Sequence, residues 1–125
     1  MSINGDDATA AVTANTIIGG QSDSTTASGN SVAISKGTGT GDAPTVTAAS
    51  IIGGQSAGDN DKNTVSISDG TVNVSTSIIG GEATGTGAVS DNGVAITGGT
   101  VAANSTSPDI IGGQADSSGT ASDNY

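Results

Sequence analysis

The side chains of this 125-residue chain that could do chemistry are eleven Asp, one Glu (Glu82), two Lys (Lys36 and Lys62) and many hydroxyls and amides; His, Cys and Arg are absent. Carbohydrate-cleaving β-helices use paired carboxylates, and two acid pairs, Asp6-Asp7 and Asp59/Asp61, are the candidates for that role. Neither pair comes with the aromatic or basic residues that hold a sugar, and no His or Cys is present to supply a base or a thiolate. The acids read as charged turns that keep an open-edged assembly soluble. The chain is expected not to be an enzyme, with no catalytic and no cofactor-binding residues.

The loops Gly58-Asp59-Asn60-Asp61 and Gly112-Gly113-Gln114-Ala115-Asp116 offer the carboxylates and carbonyls that calcium takes as ligands. The calcium-binding nonapeptide repeat needs Gly-Gly-x-Gly-x-Asp at a fixed short period, and neither loop has it, so solvated turns without a metal are the expectation. Lack of Cys removes disulfides, and lack of both Cys and His leaves transition metals without their usual ligands. A net charge of −10 with two Lys argues against nucleic acid and anionic membranes as partners. No run approaches the roughly 18 apolar residues of a membrane span, and Met1 is followed by a polar stretch, so no signal peptide is read at the start.

The elements that carry these residues must be strands. Good helix formers other than Ala are scarce, while Gly, Ser, Thr, Asn and Asp abound. Twelve Ile and nine Val supply nearly all the large apolar groups, a share low enough to raise disorder as an alternative. Their arrangement argues against it, because they recur in short alternating strings.

The clearest recurrence is Ile-Ile-Gly-Gly, at Ile17-Ile18-Gly19-Gly20, Ile51-Ile52-Gly53-Gly54, Ile78-Ile79-Gly80-Gly81 and Ile110-Ile111-Gly112-Gly113. Two β-branched residues favour an extended backbone, and the Gly pair permits positive φ, so each copy reads as a strand ending in a sharp corner. Adjacent Ile side chains on a strand point to opposite faces. Either the corner turns both inward, or one Ile of each copy lies on an outer apolar stripe where filaments would bundle.

A second phrase alternates with period two: Asn30-Ser31-Val32-Ala33-Ile34-Ser35, Asn63-Thr64-Val65-Ser66-Ile67-Ser68 and Asn92-Gly93-Val94-Ala95-Ile96-Thr97, with Val and Ile on one face. A weaker third string, such as Thr45-Val46-Thr47, precedes every Ile-Ile-Gly-Gly. The period is about thirty residues, one supersecondary unit. Length varies in the connection from Lys36 to Pro44 and in the polar loops after Gly-Gly, as surface loops allow.

One such repeat cannot bury its own apolar face, so the repeats must stack. The expected fold is a single all-β domain, a right-handed parallel β-solenoid of four coils with three short strands each, divided as 1–31, 32–64, 65–93 and 94–125. The chain breaks off at Asn124-Tyr125, where a Val-x-Ile strand should begin, while Met1-Ser2-Ile3 fits the register of that strand. Met1, Ser2, Ile3, Asn124 and Tyr125 are therefore the expected assembly interface, joining subunits head to tail into a fibre with no capping repeat. An excerpt of a longer protein, cut at repeat boundaries, is the competing reading. Outward Thr rows are mixed with Ser, Ala and Asn, which breaks the hydroxyl lattice that ice binding requires.

The stretch from Asn63-Thr64-Val65-Ser66-Ile67-Ser68-Asp69-Gly70 through Ile78-Ile79-Gly80-Gly81 resembles the repeats of bacterial type V autotransporter passenger regions, and the rest of the chain does so in weaker form. The resemblance implies an extracellular or cell-surface β-helix, either a structural fibre or part of an adhesin that binds a host or neighbouring-cell ligand.

Overall fold

A computed structural model describes residues 1–5, 10–103, 108–116 and 119–125. Among them there are strands and no helix. The first coil supplies β1 (Ser2–Asn4), β2 (Ala11–Ser22) and β3 (Ala27–Ser28), and the second supplies β4 (Ser31–Ser35), β5 (Thr45–Ser56) and β6 (Asn60–Asp61). The third supplies β7 (Thr64–Ile67), β8 (Thr71–Ala83) and β9 (Val89–Ser90). The fourth supplies β10 (Gly93–Ile96), β11 (Thr100–Ala103), β12 (Asp109–Ala115) and β13 (Ala121–Ser122).

Each strand pairs in parallel with its counterpart one coil along, which makes the fold a β-solenoid. The three sheets run β1-β4-β7-β10, then β2-β5-β8 with β11 and β12 both on β8, then β3-β6-β9-β13. Register sets like against like: Val32 beside Val65 beside Val94, Ile34 beside Ile67 beside Ile96, and Ile17 beside Ile51 beside Ile78. These columns, with Val46, Val72 and Val74, form the core, and in the two middle coils their side chains are wholly buried. Burying one Val or Ile stabilises by about 1.5–3 kcal/mol, so a thin core survives only because every coil repeats it.

The division into strands differs from the sequence expectation. The Thr-Val-Thr string and Ile-Ile-Gly-Gly do not form separate strands; in β2, β5 and β8 they run on as one strand of 12 or 13 residues. The third strand of each coil lies instead in the polar loop after Gly-Gly, as a two-residue pairing such as Asn60–Asp61. So short a strand has no alternation to be read, and cross-coil bonds hold it, as where Asn60 N donates to Ala88 O at 2.8 Å. In β8 one extra residue makes a bulge, with Ser75 and Thr76 opposite Ala49.

The Gly-Gly pairs that follow Ile-Ile do not use positive φ. A Cβ on the first Gly of a pair would strike the neighbouring coil, as Gly53 would strike Gly80 O and Thr64 O. On the second it would strike an Asn side chain, Gly54 against Asn63 and Gly81 against Asn92. Both glycines of a pair therefore face inward, and a bend occurs there within a continuous strand. Positive φ occurs just ahead of the asparagines, at Gly29, Lys62, Asp91 and Asp123.

Those asparagines form a ladder inside the coil. Asn30 N and Nδ2 donate to Asn63 Oδ1 at 2.9 and 3.0 Å, Asn63 N and Nδ2 to Asn92 Oδ1 at 2.8 and 3.0 Å, and Asn92 N and Nδ2 to Asn124 Oδ1 at 3.0 and 3.2 Å. A second Nδ2 bond points back, from Asn63 to Ala27 O, from Asn92 to Asn60 O and from Asn124 to Val89 O. Amides that would be costly to bury alone are satisfied by their own copies.

Candidate functional site

The long strands place two features at the surface, a groove and an open end. In the middle coils, Ile51 and Ile78 enter the core, while Ile52 and Ile79 face outward. The outer stripe is thus the arrangement adopted, but it is sunk: Ile52 and Ile79 are buried because they line a groove of about 420 Å³. With Ile111 they form its floor. One wall carries Thr16, Ser50, Ser77 and Asp109, with Thr76 added by the bulge, and the other carries Gln55, Glu82 and Gln114. Ser50 and Ser77 hydroxyls share a hydrogen bond of 3.2 Å, and Gln55 Nε2 donates to Glu82 Oε2. Such a row of amides and hydroxyls above an apolar floor can hydrogen-bond a polar ligand laid along the solenoid.

The acids singled out from the sequence sit elsewhere. Asp6 and Asp7 lie outside the described residues. Asp59 Oδ1 accepts from Ala88 N at 2.9 Å and Asp61 Oδ1 from Ser90 Oγ at 3.2 Å, so both carboxylates tie one coil to the next. Lys62 Nζ pairs with Asp61 Oδ2 at 3.0 Å; that hydrogen bond and the carboxylate's charge hold the ammonium pKa above its ordinary value. In the same loop Ser56 Oγ donates to the carbonyls of Gly58 and Asp59, each at 2.9 Å. Among the described residues no three His, Cys, Asp or Glu side chains gather as a metal site. No helix among them is long and apolar enough to cross a membrane.

The ends are unlike one another. At the first coil, Ile3 lies opposite Ile34, as the register of Met1-Ser2-Ile3 implied, and stays 6% exposed. Met1 N donates to Ser31 O at 2.7 Å. At the fourth coil the core columns stand open, with Ile96 41% and Ile110 53% exposed. Tyr125 begins the next rung: its N donates to Asn92 O at 3.0 Å and its carbonyl accepts from Val94 N at 2.8 Å. Its ring lies over Gly93, where a Cβ would collide with it and where the two preceding coils carry Ser31 and Thr64.

The structure therefore brings Asn124 and Tyr125 together at one end, and Met1, Ser2 and Ile3 at the other. Sequence reasoning missed the groove walls and the ladder role of Asn30, Asn63 and Asn92. Its available signal was an Asn at one fixed offset before each Val-x-Ile strand. Comparison with protein families, curated proteins and solved structures finds no match.

Proposed function

We propose that this chain is a structural β-solenoid module that associates with further copies of itself, coil on coil and head to tail, in a fibre at or outside the cell surface, without catalytic activity or a bound cofactor. The observation that supports this reading is the open fourth coil. Ile96 and Ile110 continue columns that are fully buried one coil earlier, at Ile67 and Ile78. The β10 edge is already engaged by Tyr125 in the manner of a following strand. Uncapped strand edges beside apolar columns are templates for strand addition, and a contact that does not close on itself gives an open filament. The extracellular placement rests on the likeness to autotransporter passenger repeats.

Electron microscopy and sedimentation of the purified chain test the proposal. Unbranched filaments or concentration-dependent oligomers are expected, and Ile96→Asp should abolish them while the inner coils stay folded, because it buries a charge at the joint. A wild-type chain that stays monomeric at high concentration overturns the proposal.

The groove favours a second reading, an adhesive surface for a polar polymer, supported by the Gln55, Glu82 and Gln114 wall. Binding to an array of glycans that Glu82→Lys and Gln55→Ala remove would support it.

A further inference from the structure

The asparagine ladder has a direction. Every step donates forward: backbone N and Nδ2 of one Asn reach Oδ1 of the Asn one coil further on. The ladder therefore ends in two different chemistries. At the fourth coil Asn124 Oδ1 is filled by Asn92, and Nδ2 sends one hydrogen back to Val89 O. Its backbone N–H and second amide hydrogen have no acceptor among the described residues. At the first coil both donor groups of Asn30 are used on Asn63, and its Oδ1 receives no donor from the described residues. One end of the ladder offers two donors, the other a single acceptor that in the inner coils takes two.

We infer that the ladder is the polar lock of the joint between copies: Asn124 N and Nδ2 of one copy donate to Asn30 Oδ1 of a second. The inference rests on the self-association proposed above and adds its direction and register. Two fourth-coil ends brought together would face donor with donor, and two first-coil ends acceptor with acceptor. A buried polar group left without a partner costs more than a made hydrogen bond returns, so like ends repel and unlike ends fit. A joint of this kind is heterologous and does not close into a two-fold dimer. It also fixes the register, because a slip of one residue takes Asn30 out of line with Asn124 and brings Ile3 off the Ile96 column.

Continuing the register of β1, β4, β7 and β10 by one rung sets Ser2 of the second copy beside Ala95 of the first. Neighbouring strands lie about 4.8 Å apart, within the Cα separation a disulfide spans. The chain has no Cys, and Ser2 is exposed and Ala95 half-buried on the outer face, so Ser2→Cys and Ala95→Cys chains can be made singly and mixed under oxidation. Disulfides are expected only between unlike variants. Adding Asn124→Asp to the Ala95→Cys chain keeps the acceptor for Asn92 and the backbone donor but replaces the forward side-chain donor by a carboxylate oxygen facing Asn30 Oδ1, and should lower the mixed cross-link about tenfold or more. Urea unfolding of each variant, read by circular dichroism, confirms that it is folded. Ala95→Cys pairing with itself overturns the direction, and mixed cross-links insensitive to Asn124→Asp overturn the role of the ladder while leaving self-association standing. Absence of every cross-link, with all variants folded, overturns self-association and the lock together.

Discussion

The side-chain amide of Asn63 fills the volume that a Cβ on Gly54 would occupy. The same meeting recurs as Gly20 with Asn30, Gly81 with Asn92 and Gly113 with Asn124. The second Gly of each pair is small so that the ladder can pass beside it. Gly54→Ala should therefore destabilise by about 1–3 kcal/mol through overpacking against a neighbour that cannot retreat without losing hydrogen bonds. Gly29→Ala, at φ 66° but with open space around it, should cost only the left-handed strain of about 1 kcal/mol. Urea denaturation of the two variants separates the causes, and an equal loss would contradict the steric account.

Asn63 is fully buried and bonded to three coils. Asn63→Ala would take a side-chain partner from Asn30, Ala27 and Asn60, while Asn92 Oδ1 keeps the Asn63 backbone N–H, so a loss of roughly 2–4 kcal/mol is expected, more than one net hydrogen bond. Asn63→Asp should recover only the acceptor half of the pattern. Its stability should then rise as the pH is lowered through the new carboxyl's pKa, because the neutral acid regains a donor. Thermal unfolding between pH 3 and 7, with wild type alongside, measures this.

The two isoleucines of one phrase should respond differently to the same truncation. Ile51 lies in the core among Val and Ile columns, and Ile51→Ala should cost about 2–5 kcal/mol. Ile52 floors a groove open to water on its other side, so water or the walls can fill the space and Ile52→Ala should cost about half as much or less. Similar losses at both positions would show that the outer row is packed as tightly as the core.

Lys62 holds φ 56°, where the first coil has Gly29. Lys62→Gly should stabilise slightly, since relief of left-handed strain outweighs an exposed ion pair. Because pairing with Asp61 raises the Lys62 pKa, its stabilising effect is complete below the unfolded value of 10.5 and is lost as pH rises through the folded value. The wild type should thus lose a little stability in strong alkali that Lys62→Gly does not lose, which chemical unfolding at pH 8 and 12 will show. A destabilised Lys62→Gly would mean that the ion pair outweighs the strain.

The stacking of like repeats was legible from residue types alone. Four copies of Ile-Ile-Gly-Gly and three of Val-x-Ile fix which residues must meet, and every such meeting occurs in the observed register. Which segments are strands was less legible. Ala27–Ser28 and Asn60–Asp61 pair only because the coils on either side present backbone donors and acceptors at the right height, and nothing in two residues announces this.

For the candidate site the boundary falls at the same place. The spacing of Asn124, Tyr125 and Met1-Ser2-Ile3 marks them in the sequence as parts of one interrupted strand. That Asn124 ends in donors and Asn30 in an acceptor follows from cross-coil geometry.

Composition and period determine by themselves that this chain stacks: β-branched residues at a thirty-residue period can bury their apolar face only against copies of themselves. The tertiary structure alone decides where the backbone bends, which Ile of each pair faces water, and why Gly follows Ile. Those outcomes depend on how near two coils and two walls approach, a distance set by all the strands together and carried by no single phrase.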